Sequence, residues 1–324
     1  MTRAASGSTA IVAGGAGFIG SHLCEKLLSR GAHVLCLDSL ITGARSNIEP
    51  FTADPRFRFI EVDISEGLPD DLPDADVVFN LASPASPKDF RSLALQILRV
   101  AGEGTRHLLE HARACSAVFV QASTSEVYGE PLEHPQTESY WGHVNPVGER
   151  SCYDEGKRYA EALIMAYRRL HNVDGRLARI FNTYGPRMRP DDGRVVPNFI
   201  LQALAGEPLT IYGDGTRTRG FCFVEDTVAA LVALADADPD AIDADLPAYN
   251  IGNPEEITIR QFAERVRDVC GSSSELKVVP LPQADDPTRR CPVIDRMRAL
   301  TGWEPVVGLE EGLRQTRDWL AQQE

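Results

Sequence analysis

Thr9-Ala10-Ile11-Val12-Ala13-Gly14-Gly15-Ala16-Gly17-Phe18-Ile19-Gly20 reads as a strand, a glycine-rich turn and the opening of a helix. Thr9 to Ala13 is a short apolar run, and Leu23, Leu27 and Leu28 continue beyond the turn at helical spacing. Gly14 permits the tight turn. Gly17 allows the backbone to approach a pyrophosphate at the helix N-terminus, and Gly20 lets the helix pack close to the strand. His33 to Leu37 predicts the second strand and ends at Asp38. An acid there, about 20 residues on, suits the ribose hydroxyls of NAD rather than the extra phosphate of NADP. A tight turn alone would explain the glycines. The strand before, the helix after and the acid beyond point to a dinucleotide site, with Phe18 and Ile19 inside it.

The alternation continues. Phe57 to Val62, Asp76 to Leu81, Ala117 to Ala122 and Leu177 to Phe181 predict strands, with a helix from about Phe90 to Cys115. Strands alternating with helices predict an α/β fold, a Rossmann-like doubly wound parallel sheet. Ligands of such sheets bind at the carboxyl ends of the strands. Asp63 and Ile64 stand at one such end, placed to meet an adenine. Leu81, Ala82 and Ser83 stand at another, and the turn continues through Pro84 to Pro87.

Two further stretches carry chemistry. Ser151 to Arg158 reads as a helix on which Tyr153 and Lys157, four apart, share a face. A tyrosine hydroxyl titrates near ~10, and a nearby ammonium favours the phenolate, so the pair can take a proton from an alcohol. Ser123-Thr124-Ser125-Glu126-Val127-Tyr128-Gly129 leaves a strand where the cofactor should lie. Serine and threonine often only cap turns. At this position Thr124 is a candidate hydrogen-bond partner of the alcohol, and Glu126 a candidate acid, base or water-orienting group.

From Glu130 to Gly148 a long irregular segment precedes the Tyr153 helix, and such loops are often functional. Beyond Phe181 the style changes. Arg187, Arg189, Arg194, Arg217 and Arg219 sit among glycines and prolines and suggest a clamp for a phosphorylated ligand, although ordinary surface charge accounts for some of them. Helices are predicted at Val195 to Ala205, Phe221 to Ala235, Ile259 to Cys270 and Leu309 to Leu320, a strand into a turn over Thr210 to Gly215, and a strand at Lys277 to Pro280. The expected organisation is a dinucleotide-binding domain over 1–181, rejoined by 220–252, and a smaller substrate lobe from 182–219 and 253–324.

Composition bounds the rest. The length of 324 residues allows two domains or one domain with a lobe. A net charge of -14 opposes nucleic acid, whose phosphates need a basic face. Seven scattered cysteines without a Cys-x-x-Cys read as reduced thiols of a cytoplasmic protein. The first strand begins near Thr9, so no signal peptide is expected; nor is a membrane span or a metal site.

The glycine motif, the Tyr-x-x-x-Lys pair and the threonine after a serine at a strand end resemble the extended branch of the short-chain dehydrogenase/reductase superfamily. A narrower resemblance, from about Ile11 to the C-terminus, is to the UDP-glucuronate decarboxylases, or UDP-xylose synthases. It rests on Leu81 to Pro87, Tyr140 to Pro146, Cys152 to Arg158, Arg179 to Met188, Asp192 to Val196 and Asp285-Asp286-Pro287. The resemblance implies a tightly bound NAD and a homodimer paired through two helices per subunit. It implies Tyr153 as base on the sugar 4-hydroxyl, Lys157 as its activator on the nicotinamide ribose, and Thr124 completing the triad. Ser125, Glu126 and Arg290 would serve the carboxylate end. Asn182, Arg194 and Arg219 would hold UDP, with Pro84, Arg187, Val195, Asn198 and Tyr212 as further substrate contacts. The 4,6-dehydratases carry Asp-Glu where this chain has Ser125-Glu126, so dehydration is disfavoured. A 4-epimerase, a decarboxylase releasing a 4-keto pentose, and a non-catalytic NAD or UDP-sugar sensor remain alternatives. Two departures stand out: Asn80 where the family has histidine, and Ala101 where it has an asparagine near the cofactor, a loss consistent with looser NAD, slower turnover or a divergent subfamily.

Overall fold

The computed structural model describes residues 3–280 and 287–323. The first half runs β1 (Thr9–Ala13), α1 (Phe18–Ser29), β2 (His33–Asp38), β3 (Phe57–Glu61), β4 (Val77–Asn80), α2 (Ala94–Arg99), α3 (Thr105–Cys115), β5 (Val118–Thr124), α4 (Ser151–His171) and β6 (Gly175–Ile180). There follow β7 (Thr183–Tyr184), α5 (Val195–Leu204), β8 (Leu209–Tyr212), β9 (Thr218–Gly220), β10 (Cys222–Phe223), α6 (Val224–Asp236) and β11 (Ala248–Ile251). The chain closes with β12 (Glu256–Thr258), α7 (Ile259–Val269), β13 (Leu276–Val279), β14 (Arg289–Arg290), α8 (Asp295–Thr301) and α9 (Leu309–Leu320).

Seven parallel strands form the main sheet in the order β11-β6-β5-β4-β1-β2-β3. The two-residue period of β1 explains how it is covered. Ala10 and Val12 join Leu23 and Leu27 of α1 and Leu231 and Leu234 of α6 in one core. Ile11 and Ala13 join Leu108 and Leu109 of α3 and Ile164 of α4 in the other. β11 reaches back to pair with β6, Ala248 to Ile251 against Leu177 to Ile180. The smaller pairings, β7 with β10, β12-β9-β14 and β8 with β13, lie over the later segments. There Phe221 stacks on Phe262 with centroids 4.1 Å apart.

The structure departs from sequence expectation in places. The helix expected from Phe90 to Cys115 is broken. A 3₁₀ turn at Pro87–Asp89 precedes α2, and a π-helical turn at Val100–Gly104 separates α2 from α3. Gly102 and Gly104, poor helix formers, lie in that widened turn. The helix expected from Phe221 begins at Val224, because Cys222 and Phe223 pair with Thr183 and Tyr184. β9, β11, β12, β14 and α8 are short and hold their shape through partners distant in sequence, so local pattern does not reveal them. Of the Asp285-Asp286-Pro287 motif, the two aspartates lie outside the described residues.

The glycine turn is shaped by sterics. Gly14 has φ +78°, and a Cβ there would sit 2.7 Å from the carbonyl carbon of Leu81. Both the left-handed backbone and the approach of the β4 exit exclude a side chain. Gly14→Ala is therefore expected to lower stability by about 1–3 kcal/mol and to weaken dinucleotide binding. Thermal unfolding with and without NAD reads both, and an unchanged midpoint would contradict the packing described.

Candidate active site

A cleft of about 450 Å³ runs over the carboxyl ends of the central strands. It is lined by the glycine turn (Gly14, Gly17, Phe18, Ile19 and Gly20), by Leu81 and Ser83 after β4, and by Thr124, Ser125 and Glu126 after β5. Tyr153 and Lys157 from α4 face it, as do Asn182, Arg194, Val195, Asn198, Tyr212, Arg219 and Arg290. A smaller hollow shares Gly14, Gly17, Leu81 and Ser83 with the cleft and adds Asp38, Asp63, Ile64, Ala82 and Pro84. Pro84 thus lies on the smaller hollow rather than on the cleft wall.

The Asp38 carboxylate, buried at the end of β2, accepts the backbone N–H groups of Ala16 at 2.9 Å and Leu40 at 2.8 Å. Burial raises its pKa, and these N–H groups with that of Gly17 oppose the rise. Asp63 accepts from Gln96 at 2.5 Å and from the backbone and hydroxyl of Ser65. No side chain fills the glycine turn: a Cβ on Gly17 would lie 3.1 Å from the Gly14 carbonyl oxygen. The residues present therefore fit a dinucleotide, with a pyrophosphate over the start of α1 and a ribose beside Asp38.

Thr124 ends β5 and Tyr153 lies in the first turn of α4, where its ring stacks on Phe90 with centroids 5.0 Å apart. Burial pushes the Tyr153 hydroxyl up to about 12, and the Glu126 charge adds to the rise; a hydrogen bond with Thr124 and the Arg194 charge oppose it. Lys157 Nζ donates to the Ala122 carbonyl at 2.8 Å and lies 5.6 Å from the Tyr153 ring centroid. Burial pulls Lys157 down to about 8, against support from Glu161. The sequence expects the Lys157 ammonium to favour the phenolate; here the ammonium is turned toward Ala122, and burial is the largest influence on Tyr153.

The carboxylate end is more charged than the sequence suggests. Glu126 Oε2 accepts from Arg290 at 2.6 Å and lies 2.8 Å from Arg150 Nη2, with all three residues buried. The Arg150 guanidinium lies 5.5 Å from the centroid of the Phe90 ring, beneath which Tyr153 stacks. Asp154 is buried behind them, and its Oδ1 has no hydrogen-bond partner. Arg150, Asp154 and Phe90 escaped the sequence reading. The available signal was an arginine three residues before the tyrosine at a helix entry, one turn away on the same face.

Not every arginine of the expected clamp faces the ligand. Arg187 does not line the cleft. Its guanidinium pairs through Nη2 with Glu25 at 2.5 Å and lies 5.8 Å from the centroid of the Phe51 ring, while its buried Nη1 has no hydrogen-bond partner. Arg194 lines the cleft while gripping Asp192, at 2.5 and 2.9 Å. Arg189 pairs with Asp89 at 2.8 Å, and Ser86 donates to the Asp192 carbonyl at 2.5 Å, so the turn after β4 is strapped to the 189–194 loop. Arg219 donates to the carbonyls of Pro287 and Thr288. Asn80 donates to Gln121 and Thr105 and accepts the Ala82 N–H, fixing the β4 exit from below. Ala101 sits in the π-helical turn against Gly156, where a Cβ would meet its own at 3.3 Å.

A glycine turn opening a helix, an acid closing the next strand and a Tyr-Lys pair beside a strand-end threonine define a dinucleotide-dependent enzyme acting on alcohols. The chain belongs to the NAD dependent epimerase/dehydratase family, whose model matches residues 10–252. It is similar to UDP-glucuronic acid decarboxylase 1 of Xenopus tropicalis, at 47% identity over 306 residues, 94% of this chain and 70% of that one. UDP-glucuronic acid decarboxylase 5 of Arabidopsis thaliana is 47% identical over 304 residues, 94% of this chain and 86% of that one. Among solved structures, UDP-glucuronic acid 4-epimerase from Bacillus cereus in complex with UDP-glucuronic acid and NAD superposes with a TM-score of 0.86 at 30% identity, covering 98% of this chain and 100% of that one.

Burial pushes the Asp154 carboxyl up to about 7; Glu126 and Glu155 add to the rise, and Arg150 and Arg290 oppose it. An unfolded aspartate titrates near ~3.9, so the folded protein holds this proton more tightly. The resulting stabilisation is fully present below about pH 4 and is lost as pH rises through about 7. Asp154→Asn is expected to flatten the fall of the unfolding midpoint across that interval. A pH profile parallel to that of the wild type would show that Asp154 does not carry the effect.

Proposed function

We propose that this protein is an NAD-dependent decarboxylase that converts UDP-glucuronate to UDP-xylose. The observation that carries the reading is the Glu126 carboxylate held between Arg150 and Arg290, next to Thr124 and Tyr153. A cleft built to oxidise an alcohol thus ends in two guanidiniums that suit a substrate carboxylate. The names of the relatives support the substrate and the outcome.

When bound, NAD accepts a hydride from sugar C4 and returns it later, so it is regenerated in each cycle. The chain's own groups handle protons and charge. Tyr153 takes the proton of the 4-hydroxyl, and the positive charge on Lys157, supported by Glu161, makes the phenolate accessible. Thr124, which hydrogen-bonds the Tyr153 hydroxyl, would also hydrogen-bond the substrate 4-hydroxyl oxygen in this reading. Once C4 is a ketone, the C6 carboxylate is β to a carbonyl. The C5–C6 bond then breaks, its electron pair moves toward the C4 oxygen, and CO2 leaves. Arg290 and Arg150 orient the carboxylate, and Glu126 supplies or orients the proton that C5 takes up. Tyr153 returns its proton to O4 as the ketone is reduced. Ser125 offers no acid for loss of water from C6. Asn182, Arg194, Val195, Asn198, Tyr212 and Arg219 line the cleft, and in this reading they contact UDP.

The homodimer belongs to the same reading. α2 and α4 pack side by side, the Tyr159 ring covers Gly102, and Leu95, Leu98 and Tyr159 remain 78%, 44% and 55% exposed. An apolar helix pair of this kind suits self-pairing. The seven free cysteines fit the cytoplasm, and no described helix is long and apolar enough to cross a membrane.

Three measurements test these statements. Purified protein with UDP-glucuronate and NAD, followed by NMR and mass spectrometry, should yield UDP-xylose and CO2 without accumulating NADH. Tyr153→Phe should keep folding and NAD binding while turnover falls by roughly 10²-fold or more. An isomer of unchanged mass would mean an epimerase instead. Sedimentation at micromolar concentration should show a dimer, and Leu98→Glu should shift it to monomer; a wild-type monomer would sink the pairing.

A further inference from the structure

Ser123 and Tyr128 flank the stretch from Thr124 to Glu126, and the mechanism above uses neither. Both belong to one buried chain of hydrogen bonds. Ser123 Oγ donates to Glu161 Oε1 at 2.5 Å. Arg179 grips both oxygens of Glu161, at 3.0 and 2.8 Å, and donates to the Tyr128 hydroxyl at 3.1 Å and the Glu138 carbonyl at 2.9 Å. The Tyr128 hydroxyl donates to Asn250 Oδ1 at 2.7 Å. Asn250 Nδ2 donates to the carbonyls of Gln136 and Val293, at 3.1 and 3.0 Å. Gln136 then clamps the strand that carries Arg290. It accepts the Cys291 N–H on Oε1 at 2.9 Å, donates its own N–H to the Cys291 carbonyl at 2.8 Å, and accepts the Val293 N–H at 2.8 Å.

The two ends of this chain are informative. Glu161 lies one helical turn beyond Lys157, and Ser123 precedes Thr124, so one end sits under the oxidising groups. The other end lies one residue from Arg290, at the decarboxylating groups. Tyr128 is 1% exposed and Asn250 0%, so the link has no water to replace it if broken.

We propose that Tyr128 and Arg179 are positioning residues that set the Arg290 guanidinium against the substrate carboxylate, acting through Asn250, Gln136 and the Cys291–Val293 backbone. The proposal rests on the decarboxylase reading. A guanidinium that must meet a carboxylate edge-on tolerates little displacement, and its strand is only two residues long, too short to fix itself. The hydrogen-bonded chain supplies the stiffness that the strand lacks. Breaking it at Tyr128 or Gln136, away from Glu161, should spare hydride removal at C4, which uses Thr124, Tyr153 and Lys157, and slow CO2 loss.

The test uses the NAD-loaded protein in rapid mixing with UDP-glucuronate, reading NADH absorbance for oxidation and CO2 release for decarboxylation. Tyr128→Phe removes one oxygen and keeps the ring. UDP affinity and the rate of NADH appearance should stay within about twofold, CO2 release should slow roughly tenfold to a hundredfold, and NADH should accumulate. In an Arg290→Ala background the same substitution should change CO2 release by less than about twofold, because its effect passes through Arg290. Losses that multiply in the double variant, or equal slowing of both steps, would overturn the proposal and leave the chain a fold support. If Tyr128→Phe fails to fold, Gln136→Met, which removes the acceptor for Cys291, should give the same split between the two steps. A wild type that decarboxylates while these variants match it would refute the positioning role alone. A wild type that releases no CO2 would refute the decarboxylase reading and this proposal with it.

Discussion

Two guanidiniums share one buried carboxylate: Arg150 and Arg290 both reach Glu126 Oε2, and every one of these side chains is less than a tenth exposed. Charges taken this far from water must be paired, and removing one partner of such a set typically costs about 3–5 kcal/mol. Glu126 follows β5, Arg150 precedes α4, and Arg290 belongs to β14 near the C-terminus. The cluster therefore pins three distant parts of the chain at one place, and the rest of the site inherits its geometry. Asp154 joins as a fourth group whose proton adjusts the local charge.

The oxidising groups stand on firmer local ground. α4 buries Tyr153 and Lys157, Phe90 stacks on the tyrosine, and the β5 exit brings Thr124 alongside. Burial works against both titratable members, raising Tyr153 and lowering Lys157. Lys157, pulled down to about 8 against support from Glu161, still carries its charge at pH 7, and that charge is what favours the phenolate. The nicotinamide and the substrate alcohol complete the balance when they bind, as the family's dependence on NAD requires.

Much of this was legible in the sequence. The glycine turn, Asp38 and the alternation of strands and helices announce the sheet, because period and turn chemistry are local properties. Tyr153, Lys157, Thr124 and Glu126 were readable from spacing at strand and helix ends. Arg150 and Asp154 were not, because their meaning comes from Glu126 and Arg290, which reach them only through the fold. Arg187, in a glycine-rich loop, stands beside Glu25 rather than among the residues lining the cleft, a neighbour that sequence alone does not show. The π-helical turn at Val100–Gly104 interrupts a pattern that reads as one helix, since apolar spacing does not register a single widened turn. The two-residue strand β14 has no signal of its own and exists because Arg290 pairs in register with Arg219.

The central claim is that one hydride leaves C4 and returns to it while CO2 departs from C6. UDP-glucuronate deuterated at C4, turned over in ordinary water with catalytic NAD, tests it directly. The expected product is UDP-xylose that retains the deuterium at C4, with one CO2 released per product. In a second run with unlabelled substrate in heavy water, one deuterium should enter at C5. Loss of the C4 label to the medium, or product without solvent hydrogen at C5, would contradict the oxidation, decarboxylation and reduction sequence drawn from this site.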